Sequence, residues 1–409
     1  MSPQLALILL VAVGYLAAHL LFEWLAKRFL LVSGAEYLLL GLLIGPVGTG
    51  LLNDETMRAF TPVTMLALGW IGVGLGLRLH LPSLLRIPSF MYRVGLGEAL
   101  GTFVLTAGTM AVALDWFTDQ PFEAVLPAAL VLGAVAACSG TSGVDVVAAR
   151  LGQSEPIVRQ LRVATLTDAI VAVVVLALVL CLAHPAGLTA WGRDPTVTEW
   201  AVITVAIGVV GGMLVHLFIG DERKVDRLVI ALAASIVLVT GAAAYLQLSP
   251  LLPAVLMGGI LANTSRQRRL LEELIGKVER PFTFVLLICA GALWQPALRD
   301  WGIPVVLFLA LRIAGKLGGA RLAARLNGML PVYGPTWGRA LLGQGSLAIA
   351  IALNLLLVEP GPLASIVFSA ALSSVLLTDI LSARFAEAVA TRLLGPLPEP
   401  VAANTGEAH

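Results

Sequence analysis

The feature that most restricts this chain is a near-unbroken succession of apolar segments of about 20 residues, the length a helix needs to cross a bilayer. One of them, "TLTDAIVAVVVLALVL" at residues 165–180, carries one carboxylate, Asp168, ahead of a run with no polar side chain. An ionised group at that depth costs about 3 kcal/mol on insertion scales, so it is normally retained for a task. With 58% of residues hydrophobic, 12% charged and a mean hydropathy of +0.94, the apolar surface exceeds what soluble cores hide.

Segments of this length, without alternation over about ten residues, predict helices rather than barrel strands. The expected fold is an all-α polytopic membrane protein of about thirteen spans. They are placed at 4–26, 36–53, 60–80, 91–114, 124–149, 158–183, 198–219, 226–247, 250–264, 281–297, 302–326, 336–357 and 362–392. The amino end lacks a basic leader region and a small-residue cleavage site, which predicts a retained first span. Residues 1–394 read as one transmembrane domain and 395–409 as a short polar tail.

Lys and Arg gather in alternate loops. Clusters such as Arg78, Arg86 and Arg93, or Arg150, Arg159 and Arg162, or Arg266, Arg268, Arg269, Lys277 and Arg280, fall on one face, along with Lys27, Arg28, Arg223 and Lys224. Only Arg58, Arg193 and Arg299 fall on the other. The positive-inside bias therefore puts the amino terminus outside and the carboxyl terminus in the cytoplasm. A net charge of +1 without a clustered basic face argues against nucleic acid as a partner. Cys138, Cys181 and Cys289 stand singly in apolar segments and read as packing residues. No metal-ligand spacing, nucleophile elbow or phosphate loop points to an enzyme, and no cofactor is expected.

Span two, "YLLLGLLIGP", echoes span nine, "LLPAVLMGGILAN", and span three, "WIGVGLGLRL", echoes span ten, "LLICAGALWQP". Both pairs are seven spans apart. An odd offset inverts the second copy, and inverted repeats are a transporter architecture with the site near the midplane. The repeat predicts matched breaks, found in "ACSGTSGVD" of span five and "LLGQGSLAIA" of span twelve. Glycine and hydroxyl residues there, Gly140, Thr141, Ser142 and Gly143 against Gly343, Gln344, Gly345 and Ser346, weaken the helix and free backbone groups to meet an ion. The alternative for such clusters is close helix packing.

Asp168 and Lys316 lie within roughly 2 Å of the same depth at 1.5 Å per residue, with Arg312 one turn from Lys316 on the same face. Asp168 is therefore read as a proton- and cation-exchanging carboxylate with Lys316 and Arg312 as charge partners; a static ion pair is the competing reading. Glu98 is placed nearer the membrane edge, as a snorkelling or funnel residue. Asp145 is a vestibule candidate, His216 an interfacial residue, and Asp379 a partner for Arg312 or a cap for the bundle.

"EYLLLGLLIGPVGTGLL", "LPAVLMGGILANTSRQRRLLEELIGKVERPFTFVLLICAGALW" and "LLGQGSLAIAIAL" together resemble stretches of the monovalent cation/proton antiporter superfamily, the last being similar to its potassium efflux and sodium/proton branches. That resemblance implies two broken, crossing helices, a homodimer, and a mobile core. It assigns Asp168 as ion-binding aspartate, Lys316 as the span-eleven cation, and Thr141, Ser142 and Gly143 as the first break. It also implies a scaffold of spans 1–3 and 8–10, a core of spans 4–6 and 11–13, and span 7 as linker.

The chain departs from the relatives at Thr167, where a polar amide or acid commonly precedes the aspartate, and at Leu347, where the potassium branch has a glutamate. The nucleotide-binding domain of that branch has no counterpart after Leu394, so regulation of that kind would need a separate subunit. The expectation is antiport of Na⁺ or K⁺ against H⁺, with Asp168, Thr167, Thr141 and Ser142 offering oxygens to the transported cation. Alternatives are Na⁺-coupled symport of an organic anion and a non-transporting membrane sensor or scaffold. Arginine preferred over lysine and abundant Ala and Gly point to a bacterial inner membrane.

Overall fold

The computed structural model describes residues 34–185, 193–219, 225–295 and 298–394. The span expected at 4–26, the tail 395–409, and Lys27, Arg28, Arg223 and Lys224 lie outside them. The described residues are helical throughout, in the order α1 (Ala35–Ile44), α2 (Asp54–Leu77), α3 (Leu81–Leu84), α4 (Ser89–Phe117), α5 (Phe122–Ala137), α6 (Ser142–Leu151) and α7 (Pro156–Leu182). There follow α8 (Val197–Ile219), α9 (Val225–Tyr245), α10 (Leu251–Thr264), α11 (Arg268–Leu293), α12 (Leu298–Leu326), α13 (Leu330–Tyr333), a 3-10 turn (Trp337–Leu341), α14 (Ser346–Val358) and α15 (Pro362–Leu394). Among them, eight helical spans are long and apolar enough to cross a membrane, with α10 and α14 as shorter apolar helices.

Most elements coincide with the expected spans because length and hydropathy alone define them. α11 differs: it begins at Arg268, well before the apolar stretch expected at 281–297. Its first turns are amphipathic, with Leu271 and Ile275 buried against the α2, α9 and α10 side chains and the charged residues on the other face. A purely apolar criterion stops where such a stripe begins.

Backbones approach closely wherever glycines face one another. α1 packs on α11 and α2 on α10. A Cβ on Gly258 of α10 would meet the Gly76 Cα at 3.0 Å, and one on Gly291 of α11 would meet the Gly41 Cα of α1 at 3.0 Å. These two contacts interchange when each span is exchanged for the one seven positions away, whereas the contact of α4 with α12 maps onto itself. That pattern is what an inverted repeat produces around a two-fold axis in the membrane plane.

Both expected breaks are present and cross on that axis. α5 ends at Ala137 and α6 starts at Ser142; the 3-10 turn ends at Leu341 and α14 starts at Ser346. The Gly140 N–H donates to the Gly343 carbonyl at 2.8 Å. A Cβ on Gly140 would come within 3.1 Å of Gly345 N, and Gly345 has φ +75°, a conformation that only glycine adopts at little cost.

Filling the α2–α10 contact is expected to destabilise the bundle. Gly258→Val should cost about 1–3 kcal/mol, read as a lowered thermal midpoint in detergent. Gly241→Ala in α9, whose added Cβ meets nothing within 4 Å, should leave the midpoint unchanged or slightly raised.

Candidate functional site

The site is built by α4, α7 and α12 standing around the crossed breaks. α4 and α12 touch through small residues: a Cβ on Gly319 would meet the Glu98 carbonyl oxygen at 3.2 Å, and one on Gly315 the Thr102 Cα at 3.1 Å. α7 reaches α4 at Gly95, where an added Cβ would lie 2.7 Å from Thr167 Oγ1. With three backbones this close, a lysine on α12 can reach carboxylates on both neighbours.

Lys316 does so. Its Nζ lies 2.8 Å from Asp168 Oδ2, 3.0 Å from Glu98 Oε1 and 3.2 Å from Glu98 Oε2, and it donates to the Ala137 carbonyl at 2.6 Å. All three side chains are 0% exposed. Thr102 Oγ1 donates to Glu98 Oε1 at 3.0 Å. Asp168 Oδ1, by contrast, is buried with no hydrogen-bond partner. A buried anionic oxygen left open is costly and calls for an explanation in the chemistry of the site.

Arg312, one turn away on α12, does not pair with Asp168. It donates to the Leu342 carbonyl at 2.8 Å and the Cys138 carbonyl at 3.1 Å. These are carbonyls left unpaired where the first half of each broken span stops. Arg312 and Lys316 thus supply positive charge to the negative ends of both half-helices. Across the second break, the N-terminal end of α14 is capped by acid: Gln344 N donates to Asp379 Oδ1 at 2.6 Å and Gly345 N to Oδ2 at 3.2 Å. Gln344 ties the crossing together, its Nε2 donating to the Val135 carbonyl at 2.6 Å and its Oε1 accepting from Ser374 Oγ at 2.7 Å.

The hydroxyl candidates separate. Thr141 lines a cavity of about 460 Å³ together with Gly140, Gln344, Gly345, Ser346 and Ala169, the neighbour of Asp168. Arg78, Asp145, Arg162 and Glu279 also line it. Thr167 instead faces α4 and donates to the Val163 and Ala164 carbonyls of its own helix at 3.1 and 2.9 Å. Ser142 faces α15, 3.5 Å from Ser382 Oγ, and Gly143 is buried against Ala340.

Glu98 departs most from its expected place. It is not a snorkelling residue at the edge but the second carboxylate of the buried cluster. The close approach of α4 to α12 at Gly315 and Gly319 carries it to Lys316, a meeting that counting residues along one helix does not reveal. The sequence reading also passed over Ser139, whose hydroxyl donates to the Leu341 carbonyl at 3.1 Å, and Thr165, both on the cavity wall. Neither carries a signal apart from its place beside a break or beside Asp168. Cys138, Cys181 and Cys289 are buried and unlinked.

The family model of the transmembrane sodium/hydrogen exchanger matches residues 33–386, and the chain belongs to that family. Its members are transporters rather than enzymes. Among solved structures, the sodium proton antiporter MjNhaP1 from Methanocaldococcus jannaschii at pH 8 superposes with a TM-score of 0.68 at 16% identity, covering 94% of this chain and 100% of that one. The likeness is one of fold. No curated protein sequence matches the chain.

Removing the cap on α14 is expected to show in stability. Asp379→Ala strands the buried Gln344 N–H and removes the partner of the part-buried Gly345 N–H, and should cost about 1–3 kcal/mol by thermal unfolding in detergent, whereas Asp379→Asn, which keeps an acceptor, should lose clearly less.

Proposed function

We propose that this protein exchanges a monovalent cation, Na⁺ or K⁺, for H⁺ across a bacterial inner membrane, with Asp168 binding the two ions in turn. The observation that carries the reading is the state of that carboxylate: one oxygen on Lys316 and the other buried and open, beside two crossed helix breaks. Membership of the sodium/hydrogen exchanger family supports it and favours Na⁺.

An arriving cation takes the open Oδ1 and displaces Lys316 from Oδ2, and a proton does the same by neutralising the acid. Thr141, on the cavity side, offers a hydroxyl as the ion sheds water. Thr167 and Ser142, whose hydroxyls are engaged elsewhere, join only if their rotamers change. Arg312 and Asp379 hold the ends of the broken helices in place so that the crossing survives the exchange. An unloaded carboxylate passes the low-dielectric barrier poorly, and this penalty couples the two fluxes.

The cavity holding Thr141 and Ala169 also bears Arg78 and Arg162, on the cytoplasmic side by the charge bias, and stops one residue short of the buried Asp168, which supports reading this conformation as inward-facing with its last step closed. A second cavity, about 610 Å³, lies at the other end between Glu123, Pro127, Leu355 and Glu359. From there to the break runs about 13 Å of α5, from Ala128 to Ala137, packed on the fully buried Ala348–Leu353 stretch of α14. Alternating access requires that this plug part while the vestibule closes. Spans 4–6 and 11–13 would move as the core against spans 1–3 and 8–10, joined by α8. The lipid-facing apolar side chains of α8 and α9, such as Val202, Met213, Ile230 and Val237, supply a surface for the bilayer or for a second copy in a homodimer.

The test is exchange in proteoliposomes carrying a pH gradient, over Li⁺, Na⁺, K⁺ and Rb⁺. Addition of Na⁺ or K⁺ should dissipate the gradient, and Asp168→Asn should abolish this while remaining folded; undiminished exchange in that variant would reject the reading. Because the ions compete, lowering pH should raise the apparent KM for the cation, by about tenfold per pH unit on the acid side, with the rate at saturating cation unchanged.

A further inference from the structure

Glu98 is the charged group of the buried cluster that the exchange cycle leaves without a task. Its two oxygens lie 3.0 and 3.2 Å from Lys316 Nζ, and Thr102 Oγ1 holds one of them at 3.0 Å. Asp168 touches the same ammonium through one oxygen and leaves the other open. The two acids are therefore not equivalent: Glu98 brings both oxygens to the ammonium and one of them to Thr102, whereas Asp168 brings one.

With both carboxylates ionised, the cluster of two carboxylates and one ammonium carries one net negative charge when empty. One cation or one proton makes it neutral. Without Glu98, the same ion would leave a buried, unpaired ammonium, and an uncompensated charge in this environment is strongly disfavoured. We propose that Glu98 is a positioning residue, a fixed counter-charge that keeps Lys316 paired while Asp168 holds the transported ion. The inference rests on the exchange reading above and assigns to α4 a part in it. The ammonium moves little: it keeps Glu98 and the Ala137 carbonyl, 2.6 Å away, and gives up only Asp168.

The charge count orders a set of variants in KM for the cation, measured by exchange at one fixed pH on the alkaline side, where protons no longer compete and apparent KM does not change with pH. Glu98→Gln leaves the loaded cluster with a positive charge and should raise KM about tenfold or more. Glu98→Gln combined with Lys316→Gln restores a single negative charge to the empty site and should recover most of that loss. Thr102→Val, which removes only the hydroxyl on Glu98, should raise KM about two- to threefold.

A packing role for Glu98 predicts no recovery in the double variant, so failure of recovery overturns the inference. So does an unchanged KM in folded Glu98→Gln. Should Glu98→Gln not fold, Thr102→Val decides, an unchanged KM counting against the role. These failures leave the exchange reading intact as long as the native protein exchanges and Asp168→Asn does not. Absence of exchange in the folded native protein removes both.

Discussion

One ammonium group organises the centre of this protein. Lys316 Nζ joins α12 to α4 through Glu98, to α7 through Asp168 and to the end of α5 through the Ala137 carbonyl. Burying a lone cation there would be prohibitive, and burying either acid alone would be no better. Each makes the others tolerable, and the helices that carry them are thereby held in register. The site is an electrostatic knot whose removal in part would cost more than its removal in whole.

The same reasoning extends along the crossed breaks. Interrupting a helix in a bilayer frees N–H and C=O groups that water cannot reach. Here the freed carbonyls of Cys138 and Leu342 take the Arg312 guanidinium, and the freed N–H groups of Gln344 and Gly345 take the Asp379 carboxylate. The breaks also bond to each other, Gly140 to Gly343. Charged side chains and half-helix ends thus neutralise one another, leaving Asp168 Oδ1 as a carboxylate oxygen still short of a partner. An ion that completes such a shell gains most where the protein itself supplies least, and this ties the fold to the function proposed for it.

Much of this could be read from the chain. Apolar length gave the spans, charge in the loops gave a topology, and the glycine clusters "CSGTSG" and "GQGS" located both breaks. Asp168 and Lys316 announced themselves because ions are rare in apolar helices, and their similar depth suggested that they meet. Glu98 was not legible as a partner of Lys316, because the approach of α4 to α12 at Gly315 and Gly319 that brings the two together is a tertiary contact. Nor does local sequence fix rotamers: Thr167 and Ser142 have suitable hydroxyls, and in this structure they point to α4 and α15.

The sequence by itself determined that this chain lives in a membrane as helices, that two of them break, and that an acid and a cation stand within apolar helices. Those properties follow from local composition, because the bilayer imposes one length and one hydrogen-bonding rule on every span. Which charge meets which was decided only by the tertiary structure. Arg312 and Lys316 are one turn apart and chemically alike, yet one ends on backbone carbonyls and the other between two carboxylates, because glycine contacts between α4, α7 and α12 set the distances that each side chain has to cover.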